Sequence, residues 1–388
     1  MDPGEDDFID FDWHDSQLQS LLLAADKGLT STIQNPLTNS PTSEPPSIPD
    51  IEDLITSTSP YARHRRRRGF LSVSDLVRME WCGLQFHYTL ESLEQRTDTP
   101  AMKVGREIHQ ALELEVHDVV DVEIHTREDM WGLRLLNCLI GLEEMLITGK
   151  TRELNVFGFI HDDNDLHSSS SSTDRYLVFG VIDEISRDPP ISLSFPTSSD
   201  ITWRLSDTKT RVHPHLPSPT TNTAPKFQMM LYKHLFDALT RGPQHFDHTL
   251  FFSLLRLNPA TGFSHALHAH LPPTPASEPW TLNTLLHATL TRFALFPPLS
   301  PTLTLAYLWQ RTMEPLGDVA FRHDEGVLRE HLRRAIGYWG GRKMDDVMKG
   351  VEVKEAYRCH GCEYNERCEW RARKAQELAD GNEETRTE

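Results

Sequence analysis

Residues 176–185 read YLVFGVIDEI and residues 201–210 read ITWRLSDTKT, and the fold follows from how these two runs pair. The first is rich in β-branched and aromatic residues between polar stretches, the pattern of a largely buried strand. The second alternates apolar and polar residues as a half-buried strand does. Residues two apart on a strand share a face, which sets Asp207 and Lys209 together and Thr208 opposite. Antiparallel pairing of the two runs brings Asp183 beside Asp207. Two carboxylates at one point suit a hard divalent cation. A lysine next to that cation can steady a developing oxyanion or position an attacking water. Asp-x-Lys alone is commonly a solvated strand end, so its weight comes from the rest of the chain.

The chain has 388 residues, 38% of them hydrophobic, enough for one large domain or two to three average ones. Its formal net charge of −18 is unevenly spread. Residues 1–60 hold 12 acidic and 1 basic residue, and residues 376–388 hold 5 acidic and 1 basic, leaving 61–375 at −3. A nearly neutral body between acidic tails does not exclude an anionic polymer as ligand. Both tails are predicted to be disordered, with a short amphipathic helix at 18–25 that could dock on a partner. No apolar run of about 18 residues occurs, which predicts no membrane-spanning helix. The acidic N-terminus resembles neither a secretory signal nor a mitochondrial presequence. A soluble intracellular protein is expected, its cysteines reduced or metal-bound. The basic run Arg63-His-Arg-Arg-Arg-Arg68 reads as a nuclear import signal, a phosphate contact or a solvated stretch.

Helical periodicity starts at Ser72 or Ser74 and continues through DLVRMEWCGLQFHYTLESL, with Cys82 inside it. Further helices are predicted over 103–118, 127–147, 226–239, 280–296 and 324–339. Strands are predicted over 153–160 and 246–257 besides the two runs above. Residues 167–174, 188–200, 211–225 and 259–278 read as loops. No internal repeat is found.

Three constellations carry chemistry. His109, in Gly105-x-x-x-His109, is one of 20 histidines; as a ligand beside carboxylates its nitrogen suits Mn²⁺ better than Mg²⁺. Cys359-x-x-Cys362-x5-Cys368 packs three thiols into ten residues and needs a fourth. Cys138 lies in the apolar run LLNCLIG and reads as core, which leaves Cys82 as the better fourth ligand. Spacing does not choose between zinc and an iron–sulfur cluster. Gln228 and Tyr232, at i and i+4, share a helix face near Lys226; they either pack on the sheet or present an amide and a phenol to a phosphate or base.

The ordered set Gly105-x-x-x-His109, Gly180-x-x-Asp183, Asp207-x-Lys209 and Gln228-x-x-x-Tyr232, framed by Cys82 and by Cys359, Cys362 and Cys368, resembles the iron–sulfur branch of the RecB-like PD-(D/E)XK nucleases, the exonuclease V family. The resemblance covers roughly residues 70–374. It implies an α/β fold: a restriction-endonuclease-like core, with a mixed central sheet flanked by helices, and a helical N-terminal part stapled to the C-terminus by the four cysteines. One nuclease domain would span 61–375. His109, Asp183, Asp207 and the Thr208 carbonyl would bind Mg²⁺ or Mn²⁺, and Lys209 would activate water. Gln228 and Tyr232 would order the site and contact DNA, and the cysteines would hold a [4Fe-4S] cluster. Degradation of single-stranded DNA from an end by a monomer is the implied activity, in DNA repair or genome maintenance, with a single-strand-binding protein as a candidate partner. The nucleus is the favoured compartment and the mitochondrion the alternative. Two other readings stay open: a non-catalytic, metal-stapled DNA-binding scaffold and a structure-specific endonuclease of the same fold. A helicase–nuclease does not fit, because the glycine that should open a phosphate loop before Gly149-Lys150-Thr151 is replaced by Glu144.

Overall fold

The computed structural model describes residues 59–92, 100–114, 122–161, 175–190, 201–217, 223–272 and 279–384. The segments expected at 1–58, including the helix at 18–25, and the serine loop at 167–174 lie outside the described residues. In chain order the elements are α1 (Pro60–His64), β1 (Leu71–Ser72), α2 (Val73–Val77), α3 (Gly83–Glu91), α4 (Pro100–Leu114), α5 (Arg127–Thr148), β2 (Lys150–His161), β3 (Arg175–Asp188), β4 (Thr202–Arg211), α6 (Thr223–Leu239), α7 (His248–Leu255), α8 (His265–His268), α9 (Leu282–Phe293), β5 (Thr302–Trp309), β6 (Pro315–Arg322), α10 (Glu325–Trp339), α11 (Met344–Val347) and α12 (Glu369–Glu384). The architecture is a mixed central sheet flanked by helices.

The sheet forms around β3. Its run of buried β-branched and aromatic residues fits a central strand covered on both faces. β2 pairs antiparallel along one edge, from Lys150 opposite Ser186 to His161 opposite Arg175. The other edge is shared: β1 pairs parallel at Val178 and Phe179, and β4 pairs antiparallel from Glu184 opposite Ser206 to Asp188 opposite Thr202. Beyond Ser206, β4 leaves β3 and continues only its parallel pairing with β5, and β6 closes the far edge antiparallel to β5. Between Gly180 and Asp183, therefore, that edge of β3 has no strand partner among the described residues. The sheet is split there.

Helix α5 is started by a capping box, Thr126 with Asp129, and stopped by Gly149 in the left-handed region. It lays Trp131 against Phe70, Phe179 and Phe251 with ring centroids 5.5–5.7 Å apart, all edge to face. Helix α6 crosses the sheet and buries Phe227, Leu231, Tyr232 and Leu235. His331 of α10 locks the N-terminal helices to this helix. Its ring stacks on Phe227 at 4.0 Å, Nδ1 lies 2.9 Å from a Glu80 carboxylate oxygen, and Nε2 lies 2.8 Å from the Leu76 carbonyl. Each ring nitrogen thus has an oxygen partner, so the ring is held at both polar corners as well as on its face.

The structure corrects several expectations. Residues 246–257 are not a strand: Asp247 caps helix α7 by accepting from the Leu250 N–H. A short apolar run reads either way, and the cap decided it. Cys82 does not sit inside a helix. The periodic stretch breaks into α2, a 3-10 turn over Arg78–Glu80 and α3, with Cys82 extended at the N-cap of α3. Strands β5 and β6 were not foreseen. Residues 376–384, expected in a disordered tail, continue α12.

The basic run at 63–68 is folded. Arg65 makes a bidentate contact with buried Asp75, Nε to Oδ2 at 3.0 Å and Nη2 to Oδ1 at 2.6 Å. Arg63 and His64 both reach Glu91, and Arg68 is buried over the Phe70 ring. Only Arg66 and Arg67 of the six are exposed. An import signal needs accessible cations, and within this run only those two offer them. Among the described residues no helix is long and apolar enough to cross a membrane.

Burial pushes the Asp75 carboxyl up, but Arg65, backed by Arg68 and the Ser72 N–H, overrides it and holds the group well below the usual carboxylate range. This stabilisation is complete above the unfolded pKa of about 3.9 and is lost only as pH falls through the lower folded value. Asp75→Ala is expected to cost about 3–5 kcal/mol by stranding half-buried Arg65 and buried Arg68. Urea unfolding at pH 7 checks it, and a change within error would show that the pair does not hold the N-terminal segment.

Candidate active site

The split in the sheet gathers the polar residues. Constant register carries Asp183 of β3 opposite Asp207 of β4, one step past the last ladder pair. There the ladder bond is replaced by a side chain: the Thr208 N–H donates to Asp183 Oδ2 at 3.1 Å. On the other edge the same register sets Glu153 opposite Asp183, between the pairs Arg152 with Glu184 and Leu154 with Ile182. Directly opposed side chains lie about 5 Å apart at Cβ. Glu153 has φ 51°, a left-handed conformation that costs a non-glycine residue about 1–2 kcal/mol. His109 of α4 completes the group, with Nδ1 3.5 Å from Asp183 Oδ2. His109, Glu153 and Asp183 each offer a ligand atom within 4.8 Å of the others.

Lys209 Nζ lies 3.1 Å from Asp207 Oδ2, with both side chains buried. Burial, and next to it the Asp183 charge, push the Asp207 carboxyl up to about 7 against the pull of Lys209. Gln228 donates through Nε2 to the Tyr232 hydroxyl at 3.0 Å, and its buried Oε1 has no hydrogen-bond partner among the described residues. Burial, then Asp183 and Asp207, raise the Tyr232 hydroxyl above its ordinary pKa, so it stays protonated. Tyr232 also accounts for Gly180: a Cβ there would come 2.6 Å from the tyrosine ring and 2.6 Å from Val73. Two motifs far apart in sequence are thus one contact.

Of the expected site residues, the structure brings together His109, Asp183, Asp207, Thr208 and Lys209, with Gln228 and Tyr232 beside them. Glu153 was missed. Its signal is a register, and that register depends on the connection across 162–174, which composition alone does not fix.

Cys82, Cys359, Cys362 and Cys368 line one cavity with Trp81, Tyr88 and Trp370. Burial raises the Cys82, Cys359 and Cys362 thiols: Cys362 is pushed up to about 11, with Cys82 and Cys359 adding to the effect, and Cys359 is raised also by the neighbouring Cys82 and Cys368 sulfurs. Cys138 is fully buried and burial pushes its thiol up, the core role expected of it. Among the basic residues after the last cysteine, Lys374 pairs with Glu377 at 2.6 Å and Arg371 donates to the Asn365 carbonyl at 3.1 Å.

Residues 59–199, 191–278 and 273–371 match the family model of exonuclease V, described as a 5′ deoxyribonuclease. Exonuclease V of Danio rerio is 31% identical over 322 residues, 81% of this chain and 73% of that protein. Exonuclease V, mitochondrial, of Candida glabrata is 21% identical over an alignment of 404 residues, 77% of this chain and 79% of that one. The crystal structure of SSO0001 aligns with 83% of this chain and 96% of its own at 13% identity, with a TM-score of 0.33, too distant to carry an argument. The chain is thus a nuclease, one that acts on DNA. It belongs to the exonuclease V family and is accordingly a DNA exonuclease.

Because the Asp207 carboxyl is raised, the folded chain binds a proton that the unfolded chain has already released between about pH 4 and 7. Metal-free stability therefore falls as pH rises across that window. Asp207→Asn removes the effect. Its Tm without divalent ions is expected to match wild type near pH 4 and to exceed it by at least about 2 °C at pH 8. Equal melting at pH 8 would contradict the raised carboxyl.

Proposed function

We propose that the chain is a metal-dependent exonuclease that hydrolyses single-stranded DNA from a free end. The observation that carries this reading is the convergence of His109, Glu153 and Asp183 beside the buried Asp207 and Lys209 pair. One nitrogen and several carboxylate oxygens fit Mg²⁺ or Mn²⁺, and the buried, raised Asp207 carboxyl is the donor set of a site that a cation relieves. Such an ion supplies charge neutralisation at the phosphate and a bound water of lowered pKa. His109, Glu153, Asp183 and Asp207 would hold it. The Thr208 carbonyl is a further candidate: in an extended strand it shares an edge with its own N–H, which is turned to Asp183.

Lys209 would orient the attacking water and receive the negative charge that grows on the phosphate. The free Oε1 of Gln228 can accept from a base or a water at the strand, while Tyr232 fixes the amide's orientation. The four cysteines would hold a [4Fe-4S] cluster. Its role would be to join Cys82 to the C-terminal segment. Such an activity would serve DNA repair or genome maintenance. The compartment is best sought in the mitochondrion, where the Candida glabrata relative is described to reside.

Wild-type protein with Mg²⁺ should degrade linear single strands and spare circular ones. Asp183→Ala, Asp207→Ala and Lys209→Ala should each lower the rate at least about a hundredfold, the order seen when an electrostatic catalytic group is lost. Cutting of circles would mean an endonuclease, and undiminished cutting by any variant would remove that residue from the chemistry. Cys362→Ser, purified without oxygen, should lose the brown colour and several degrees of Tm. A colourless variant as stable as wild type would exclude a stapling cluster.

A further inference from the structure

We infer that Gln310 is a positioning residue for the metal centre, holding the helix that carries His109 against the strand that carries Asp207 and Lys209. Gln310 follows β5 directly and touches neither the carboxylates nor the lysine in any described contact. Its backbone N–H donates to the Arg211 carbonyl at 2.9 Å, tying the turn to the end of β4. Its side-chain amide Nε2 donates to two acceptors, the Ala101 carbonyl in the first turn of α4 at 3.0 Å and Thr210 Oγ1 at 2.9 Å. Thr210 follows Lys209 directly. One amide thus bridges the start of one functional element and the end of another.

The glycine of Gly105-x-x-x-His109 sits on the same contact. A Cβ at Gly105 would stand 3.2 Å from Thr210 Oγ1, a tight contact, and 3.7 Å from Gln310 Nε2, an ordinary one, so the helix packs directly on the bridge. His109 lies four residues on and hence on the same helix face. The face that docks on Gln310 and Thr210 is the face that delivers Nδ1 to within 3.5 Å of Asp183. The geometry needs an amide: both partners accept, so a carboxylate at 310 would face the Ala101 carbonyl oxygen without a proton to share.

This inference rests on the reading of His109 as a metal ligand, and the experiment separates the two. Full-length wild type, Gln310→Leu, His109→Ala and the double variant are titrated with Mn²⁺ in the absence of DNA, and the free ion is followed by electron paramagnetic resonance. Gln310→Leu should raise Kd about tenfold, within the roughly 10–100-fold loss typical when a group that orients a metal ligand is removed. Its Tm should stay within about 2 °C of wild type. On top of His109→Ala it should change Kd less than about twofold, because the two act through one ligand. Thr210→Val, which deletes one acceptor, should shift Kd in the same direction by less, and it carries the test if Gln310→Leu does not fold. An unchanged Kd in a folded Gln310→Leu, or in Thr210→Val where Gln310→Leu does not fold, overturns the inference. So does an effect of Gln310→Leu that persists in full beside His109→Ala. If His109→Ala itself binds Mn²⁺ like wild type, the reading of the site fails instead.

Discussion

Asp183 stands where the β3–β4 ladder stops, and its carboxylate takes the place of the missing backbone partner of Thr208. A backbone N–H buried without an acceptor is costly. A splayed sheet therefore needs a side chain at this point, and the side chain that serves is also the centre of the polar cluster. The opening between β1 and β4 on one edge of β3 is what gives Asp183, Asp207 and His109 room to meet. A continuous ladder would carry the same residues without a cleft between them.

The cost of that arrangement is visible in the charges around it. Three carboxylates, Glu153, Asp183 and Asp207, face one histidine and one lysine in a largely buried space, and burial together with Asp183 lifts the Asp207 carboxyl to about 7. Glu153 adds a left-handed backbone. Backbone strain and like charge collected at one spot, beside closely paired contacts in the supporting elements, is the usual distribution for a site whose ligand is to be bound rather than packed. Those contacts are the bidentate Arg65–Asp75 pair and the His331 imidazole, which bonds both its nitrogens while stacking on the helix of Gln228 and Tyr232.

Much of this was legible in sequence because it is local. The two runs at 176–185 and 201–210 alternate at a strand's period, so the shared face of Asp207 and Lys209 follows without knowledge of the fold. Gln228 and Tyr232 follow from a helix's period in the same way. What escaped was set by register or by tertiary cover. Glu153 enters only because β2 pairs with β3 at one particular offset. Residues 246–257 carry as apolar a run as many strands, and only the Asp247 cap makes them a helix. The basic run at 63–68 looked free because nothing nearby in sequence pairs with it, yet its partners Asp75 and Glu91 lie about 10 and 27 residues on.

The cysteines show how much the C-terminal segment depends on contacts made late in the chain. Cys82 caps a helix near the start of the described fold, while its three companions lie beyond residue 358, and all four line one cavity. A group held by all four would close a loop of on the order of 280 residues, whose closure entropy grows only with the logarithm of its length. A crosslink over such a span restrains the unfolded chain more than a short one does. Described contacts also fasten the C-terminal segment near Cys82: the Leu84 N–H donates to the Lys349 carbonyl at 3.2 Å, Gln85 donates to Glu363 at 3.1 Å, Arg358 donates to the Trp81 carbonyl at 3.3 Å, and Tyr88 packs on Tyr364. A group bound by all four thiols would reinforce these contacts by tying residue 82 directly to residues 359–368, and that would give three cysteines crowded into ten residues a role that apolar side chains of a packed core do not serve.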